Sequence, residues 1–145
     1  MVNVIDASGL ILGRLSSSVA KTLLKDEGVE IAIINAEKCI VSGSKKRIIT
    51  QFITRRDLNH GRKGPFYPRM PDMILKRTIR GMLPYQQERG RQAFKRVKVY
   101  IGEPTEFKNT KREPCEDAKN KGLEYFVELG EISRILGANI KGVSR

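Results

Sequence analysis

The chain has 145 residues, of which 39% are apolar and 30% are charged, and its 28 basic and 16 acidic side chains give a net charge of +12. This length favours a single domain with one hydrophobic core, and a surface this basic favours a polyanionic partner. The apolar runs are far shorter than the roughly 20 residues that cross a bilayer, which predicts a soluble protein. The first residues have neither the basic start nor the apolar stretch of a secretory signal, which predicts a cytoplasmic protein.

The first elements along the chain are predicted to form a strand, a helix and a second strand. Residues 2–5 have the apolar character of a short buried strand. A helix is predicted at 14–25, because apolar side chains recur at steps of four from Leu15 to Leu23 and fall on one face. The β-branched run at 31–34 suits a strand that is covered on both faces. Since a helix connects the two strands, we expect them to be parallel, with a right-handed crossover.

The rest of the chain alternates short elements with loops. Ser44 suits the N-cap of one helix, and Pro71 with Asp72 suits the first turn of another. Four glycine and proline residues within 58–70 predict an irregular loop. We predict strands at 39–41 and 97–101, helices at 45–56, 71–81, 86–95 and 131–136, a polar extension at 105–122, and renewed apolar character at 123–129.

Together these elements predict an α/β fold. We expect three layers, α/β/α, around a small and mainly parallel sheet, with a basic loop and a C-terminal extension added to it. The whole of 1–145 is predicted to be one domain. Its core is expected at about 1–104, followed by the extension and terminal helix at 105–145.

The basic charge is concentrated in the middle of the chain. Residues 45–98 carry sixteen basic and three acidic side chains, a net charge of +13, whereas the remainder carries twelve basic and thirteen acidic ones, a net charge of −1. Ten of the sixteen are arginine, whose planar guanidinium binds phosphate through two hydrogen bonds and stacks on bases. This bias favours RNA over a membrane, so we predict RNA and no membrane as the partner. The side chains predicted to bind RNA are Lys45, Lys46, Arg47, Arg55, Arg56, His60, Arg62, Lys63, Tyr67, Arg69, Lys76, Arg77, Arg80, Tyr85, Arg89, Arg91, Lys95 and Arg96.

Five aromatic residues are interleaved with these cations, and exposed rings stack on unpaired bases. Phe52 and Phe94 lie on segments with apolar periodicity, so we expect both rings to pack in the core. Tyr67 and Tyr85 lie beside prolines in basic loops and are the better candidates for RNA contact. Phe66 is the fifth of these aromatic residues.

Catalytic and cofactor sites receive little support from the sequence. His60 is the single histidine, and Cys39 and Cys115 have no metal-binding spacing, so we read both cysteines as reduced thiols. Residues 9–14 form a glycine-flanked turn between a strand and a helix, but they match neither a dinucleotide fingerprint nor a P-loop. Asp6 follows a predicted strand and can equally cap a turn. We therefore predict no enzyme activity, no cofactor, no metal and no small-molecule substrate.

One segment carries a specific resemblance. Residues 69–84, Arg-Met-Pro-Asp-Met-Ile-Leu-Lys-Arg-Thr-Ile-Arg-Gly-Met-Leu-Pro, closely resemble the signature of the large-subunit ribosomal protein family thirteen. Further matches, such as Leu-Gly-Arg-Leu at 12–15 and Lys-Val-Tyr-Ile-Gly-Glu-Pro at 98–104, stand in the family's order over about 3–104. The segments 85–90 and 128–134 are similar to the archaeal members. The resemblance assigns Arg69, Arg77, Arg80 and Gly81 to the motif, and Gly64 with Pro65 to the preceding loop.

The resemblance implies a function as well as a fold. It implies a structural constituent of the large ribosomal subunit, which binds large-subunit ribosomal RNA, contacts neighbouring ribosomal proteins and joins the subunit early in assembly. An RNA-binding translational regulator that acts away from the ribosome would use the same basic surface, so this alternative stays open from the sequence.

Overall fold

A computed structural model describes residues 2–58 and 60–140. Its main sheet is parallel, with the strand order β1-β2-β4, and a separate pair, β3-β5, is antiparallel. The five strands are β1 (Val2–Asp6), β2 (Glu30–Ile34), β3 (Ile40–Ser42), β4 (Val97–Val99) and β5 (Phe126–Glu128). The predicted parallel pairing of the first two long strands is confirmed, with Val4 opposite Ala32.

The described residues form five α-helices, and each follows from a local pattern. The predicted stripe of the first helix is buried at Leu15, Val19 and Leu23. Pro71 occupies the first turn of the third helix, with Asp72 beside it, as expected. The helices are α1 (Leu12–Lys25), α2 (Lys45–Asp57), α3 (Pro71–Met82), α4 (Glu88–Lys95) and α5 (Leu129–Ile135).

The core lies on both faces of the parallel sheet. In β2, Ile31 and Ile33 point into a large cluster to which all five helices contribute buried side chains. Ala32 and Ile34 point to the opposite face, where Tyr100 and Phe107 cover them. The mixed α/β class is therefore confirmed, and the layer on the second face consists of irregular chain and a 3₁₀ turn at Thr105–Phe107.

The C-terminal part of the chain is joined to the same core. The backbone N–H of Glu113 donates to the carbonyl of Val4 at 2.7 Å, so the extension lies along the free edge of β1. Val127 and Ile132 are buried in the main cluster, together with side chains of α1. Residues 141–145 of the predicted extension lie outside the described residues, as do Met1 and Asn59 of the loop predicted at 58–70.

Three sequence-based details differ from the structure. The strand predicted at 39–41 begins at Ile40 and pairs with β5, not with the parallel sheet. Ser44 precedes α2 as predicted, but its side chain makes no capping hydrogen bond. The strand predicted at 97–101 ends earlier, at Val99. The chain turns at Gly102, whose carbonyl accepts a hydrogen bond from the backbone N–H of Asn35. Over the residues described, no helix has the length and apolar character needed to span a bilayer.

Candidate nucleic-acid interface

Most of the predicted RNA-binding side chains are exposed on α2, α3, α4 and the loop between α2 and α3. Thirteen of the eighteen are exposed and five are half-buried. The half-buried ones are Arg56, Tyr67, Lys76, Tyr85 and Arg96. The surroundings of the eighteen side chains differ. Some of them contact aromatic rings, and others form hydrogen bonds or ion pairs within the protein.

The loop between α2 and α3 is joined to both helices through aromatic rings. The guanidinium of Arg77 lies 4.9 Å from the centre of the Tyr67 ring, and Tyr67 packs edge-on against Phe52 with ring centres 6.0 Å apart. Arg55 in turn lies 5.5 Å from the centre of the Phe52 ring. Two arginines from different helices are thus joined by two rings in contact, and Phe52 is buried as predicted.

A second group of the same kind joins α3 to α4. The guanidinium of Arg80 lies 4.1 Å from the centre of the Tyr85 ring, and the ammonium of Lys76 lies 5.3 Å from that of Phe94. Tyr85 and Phe94 pack edge to face at 5.5 Å. Each cation–ring contact contributes about 0.5–1 kcal/mol at an exposed site. We call the cations and rings of the two groups the cation–ring surface; they are Phe52, Arg55, Tyr67, Lys76, Arg77, Arg80, Tyr85 and Phe94.

These contacts add to the interpretation of Tyr67 and Tyr85. The sequence made both tyrosines the better candidates for RNA contact, and in the structure each ring lies against a guanidinium. The rings thus hold arginines in place, and their own contact with RNA stays a prediction. Phe66, which was not among the predicted binding residues, is 63% exposed, and no cation lies over its ring among the residues described. Phe66 lies between Pro65 and Tyr67 in a basic loop, and this position in the sequence would also have made its ring a candidate for RNA contact.

Arg96 and Arg89 lie elsewhere, at the C-terminal end of α1. Arg96 donates three hydrogen bonds to backbone carbonyls, from Nη1 to Asp26 at 2.7 Å and Val29 at 2.9 Å and from Nη2 to Leu23 at 2.8 Å. Nη2 of Arg89 donates to the carbonyl of Leu24. Carbonyls at a helix end lack partners within the helix and carry partial negative charge, so these arginines satisfy and stabilise the end of α1.

Three more predicted binding residues have acidic partners. Arg91 donates two hydrogen bonds to Glu88 one helical turn earlier, and these bonds with the attraction of Arg91 hold the pKa of Glu88 below its ordinary value. Arg56 is bonded to Asp57 at 2.8 Å, and Lys45 is paired with Glu131. Exposed pairs of this kind contribute little to stability, and an RNA phosphate can compete for the cations.

The turn at residues 9–11 has no backbone N–H groups free for a phosphate. The N–H of Gly9 donates to the carbonyl of Lys38, that of Leu10 to Ala7, and that of Ile11 to Ala118. A phosphate-binding loop needs such N–H groups to point at its ligand. The N–H groups of Gly9, Leu10 and Ile11 thus stabilise the crossing from β1 to α1.

The carboxyl ends of the parallel strands, where α/β enzymes bind their substrates, are filled by side chains of the protein itself. Asp6 accepts hydrogen bonds from the side chain of Asn35 and from Ser8, and Arg112 bridges Asp6 at 2.8 Å and Glu103 at 2.5 Å. Burial alone would raise the pKa of Asp6, but the hydrogen bonds from Asn35 and Ser8 and the charge of Arg112 hold it below its ordinary value.

The remaining candidates for chemistry are separate from one another. His60 is exposed in the loop before α3, and Cys39 is buried, which raises the pKa of its thiol to about 12. Within 2–58 and 60–140, no three His, Cys, Asp or Glu side chains come together as a metal-binding group.

The fold and this surface define a class of protein: an α/β protein with a basic surface on which aromatic rings support the cations. Comparison with known proteins identifies the family. The ribosomal protein L13 family model matches residues 1–106, and the chain belongs to that family. The family is structural and does not catalyse a reaction.

Curated relatives match almost the whole chain. It is 49% identical to large ribosomal subunit protein uL13 of Methanosarcina barkeri over 139 residues, which cover 94% of this chain and 99% of the relative. It is 48% identical to uL13 of Picrophilus torridus over 133 residues, 92% of this chain and 95% of the relative. It is 45% identical to uL13 of Archaeoglobus fulgidus over 137 residues, which cover 92% of this chain and 86% of the relative. These relatives are archaeal, as the resemblance implied.

Proposed function

We propose that this protein is a structural constituent of the large ribosomal subunit that binds ribosomal RNA through the cation–ring surface. The observation that carries the proposal is the pair of cation–ring groups, one of which holds Arg55 and Arg77 and the other Lys76 and Arg80. Family membership supports the ribosomal location, and with it the cytoplasm, and neighbouring large-subunit proteins as further partners.

The proposed action is cohesion between RNA segments. Packed RNA helices repel one another through their phosphates, and cations fixed on a folded protein reduce that repulsion. Each contact releases counterions, so the logarithm of the affinity should fall with the logarithm of salt concentration by roughly 0.7–0.9 per phosphate contact. A protein that reduces repulsion in this way is useful before the subunit is complete, and we propose that it joins early in assembly.

The proposed surface is narrower than the eighteen residues predicted from the sequence. The cations of the cation–ring surface form its centre, and exposed Lys46, Arg47, Arg62, Lys63 and Arg69 extend it along α2 and the following loop. Arg89 and Arg96 are assigned to the end of α1, because backbone carbonyls already engage them. We expect them to contribute to the stability of the fold and not to RNA affinity.

A salt titration with a fragment of large-subunit ribosomal RNA tests the proposal. The variant Arg77→Met/Arg80→Met should bind more weakly and reduce the salt slope by about 1.4–1.8, the value for two contacts. Lys21→Met/Lys25→Met is the matched control, since it removes two exposed charges of α1 and should leave the slope nearly unchanged. Equal slopes for both double variants and the unaltered protein would contradict the proposed surface.

Sedimentation of cell extracts tests the location. A ribosomal constituent should sediment with the large subunit, and an early-joining one should already be present in incomplete large-subunit particles. A chain found mainly in the light fractions together with messenger RNA would instead support the regulator that acts away from the ribosome.

A further inference from the structure

Phe66 is an exposed ring in the middle of a basic loop. Its side chain is 63% exposed, and Phe52, Tyr67, Tyr85 and Phe94 each have a cation within 5.5 Å of the ring centre. A single exposed apolar side chain is ordinary on a protein surface, and only an apolar patch indicates a ligand. The evidence for a ligand is therefore in the surroundings of this ring, which combine a fixed backbone, further apolar side chains and cations.

The backbone that carries Phe66 is held by contacts on both sides. Nη1 of Arg77 donates a hydrogen bond to the carbonyl of Phe66 at 3.2 Å. Upstream, the N–H of Gly64 donates to the carbonyl of His60 at 3.0 Å, which closes the turn before Pro65. Arg77 also lies over the Tyr67 ring, so one arginine fixes two consecutive residues of the loop.

The ring itself packs against Gly64. A Cβ atom added at Gly64 would lie 3.1 Å from Cδ2 and 3.2 Å from Cε2 of Phe66, closer than an ordinary carbon–carbon contact. Gly64 also has a φ of +74°, a conformation that favours glycine. The glycine thus allows the ring to lie directly on the loop backbone, which leaves the rest of the ring open.

A shallow cavity of about 370 Å³ lies beside this ring. Its apolar lining includes Phe66, Phe94 and Met73, and Met73 is 51% exposed. The charged side chains that line it are Lys76, Arg77 and Arg80. No acidic side chain lines it among the residues described. An apolar floor with three cations fits a flat apolar group attached to anions better than it fits an apolar protein side chain.

We propose that Phe66 is a stacking platform for one unpaired base of RNA, and that Lys76, Arg77 and Arg80 bind the phosphates on either side of that base. This inference rests on the proposed RNA-binding function and adds the form of RNA that the surface selects, an unpaired nucleotide. Stacking of a base on an aromatic side chain is tolerant of base identity, because every base has a π face.

The test uses the full chain and two RNA probes with the same number of phosphates: a hairpin with unpaired adenosines in its loop and a fully paired duplex. Phe66→Leu keeps an apolar side chain but removes the ring, and Phe66→Trp keeps a ring. Phe126→Leu is the matched control, because Phe126 is also exposed and lies in β5, outside the cavity. Circular dichroism of each variant checks that the fold is retained.

Phe66→Leu should weaken hairpin binding by about 5- to 150-fold, the range equivalent to one lost stack. Its duplex binding and its salt slope should stay unchanged. Phe66→Trp and Phe126→Leu should bind both probes as the unaltered protein does. A hairpin that carries 2-aminopurine in its loop should lose fluorescence on binding to the unaltered protein and to Phe66→Trp, and much less on binding to Phe66→Leu.

Two outcomes separate the failure of this inference from that of the proposed function. If the unaltered protein binds both probes with the expected salt dependence while Phe66→Leu binds the hairpin equally well, the stacking role is wrong and the RNA-binding function stands. An equal loss on hairpin and duplex would also contradict stacking. If the unaltered protein binds neither probe at low salt, both proposals fail, and an apolar protein segment becomes the better occupant of the cavity.

Discussion

Replacement of Arg96 separates a role in the fold from a role in RNA binding. Arg96→Met keeps much of the apolar stem but removes the donors that bind the carbonyls of Leu23, Asp26 and Val29. A hydrogen bond from a charged donor contributes about 1.5–3 kcal/mol. Water can replace the guanidinium at the more exposed carbonyls, so the expected loss is well below that of three such bonds, about 2–4 kcal/mol.

The loss is large enough to measure by thermal unfolding. At this chain length, 1 kcal/mol shifts the midpoint by about 2–4 °C, so Arg96→Met should lower it by about 4–16 °C. Lys98→Met is the matched control, because the side chain of Lys98 is exposed on β4 and only its backbone takes part in the sheet. It should change the midpoint little.

The salt dependence of RNA binding can refute the assignment of Arg96 to the end of α1. We expect Arg96→Met to keep the salt slope of the unaltered protein at temperatures where both are folded. If the midpoint is unchanged and the slope falls by about 0.7–0.9, Arg96 contacts a phosphate and its assignment to the α1 end is wrong. A lower midpoint with a lower slope would show that the arginine has both roles.

Other positions give further predictions. Gly90→Ala should destabilise the fold by at least about 1–3 kcal/mol in chemical unfolding, because its Cβ would lie 2.1 Å from the carbonyl oxygen of Pro84. Gly81→Ala in α3 is its control: its Cβ would meet nothing within 4 Å, and alanine should add about 0.5–1 kcal/mol. Asp6→Asn should lower the free energy of unfolding at neutral pH. Because the folded-state pKa of Asp6 is depressed, its contribution is present above the ordinary value of 3.8 and is lost as the pH falls below it, so urea unfolding of the two proteins should converge in acid.

The elements with a strong local pattern were predicted from the sequence. The stripe from Leu15 to Leu23 determines α1, and the β-branched run at 31–34 corresponds to β2, because burial imposes a regular spacing on apolar residues. The pairing of β3 with β5 was not predicted. Each strand has three residues, too few for a period to appear, and the partners are far apart in the chain, so tertiary packing alone selects them.

The candidate surface was predicted as a region but not residue by residue. Charge density identified 45–98 correctly as basic and exposed, since charged groups stay in water. It could not distinguish Arg96, which binds carbonyls of α1 some 70 positions earlier, from Arg77, which stays exposed. The sequence also does not show which ring a neighbouring arginine covers, and the structure shows Arg77 over Tyr67.

The aromatic partners explain how a strongly basic surface stays ordered and still available to RNA. A carboxylate positions an arginine but neutralises its charge, as Glu88 does for Arg91. A ring contacts the guanidinium face and leaves the N–H donors at its edge uncovered, so Arg77 and Arg80 keep both their position and their charge. Arg77 uses one of its donors on the carbonyl of Phe66, which leaves its charge intact. We therefore expect these two arginines to contribute more to the salt slope than Arg91, which must first leave its carboxylate. Arg91→Met, measured beside Arg80→Met, should show the smaller change in slope, and equal changes would mean that the rings provide no advantage in RNA binding.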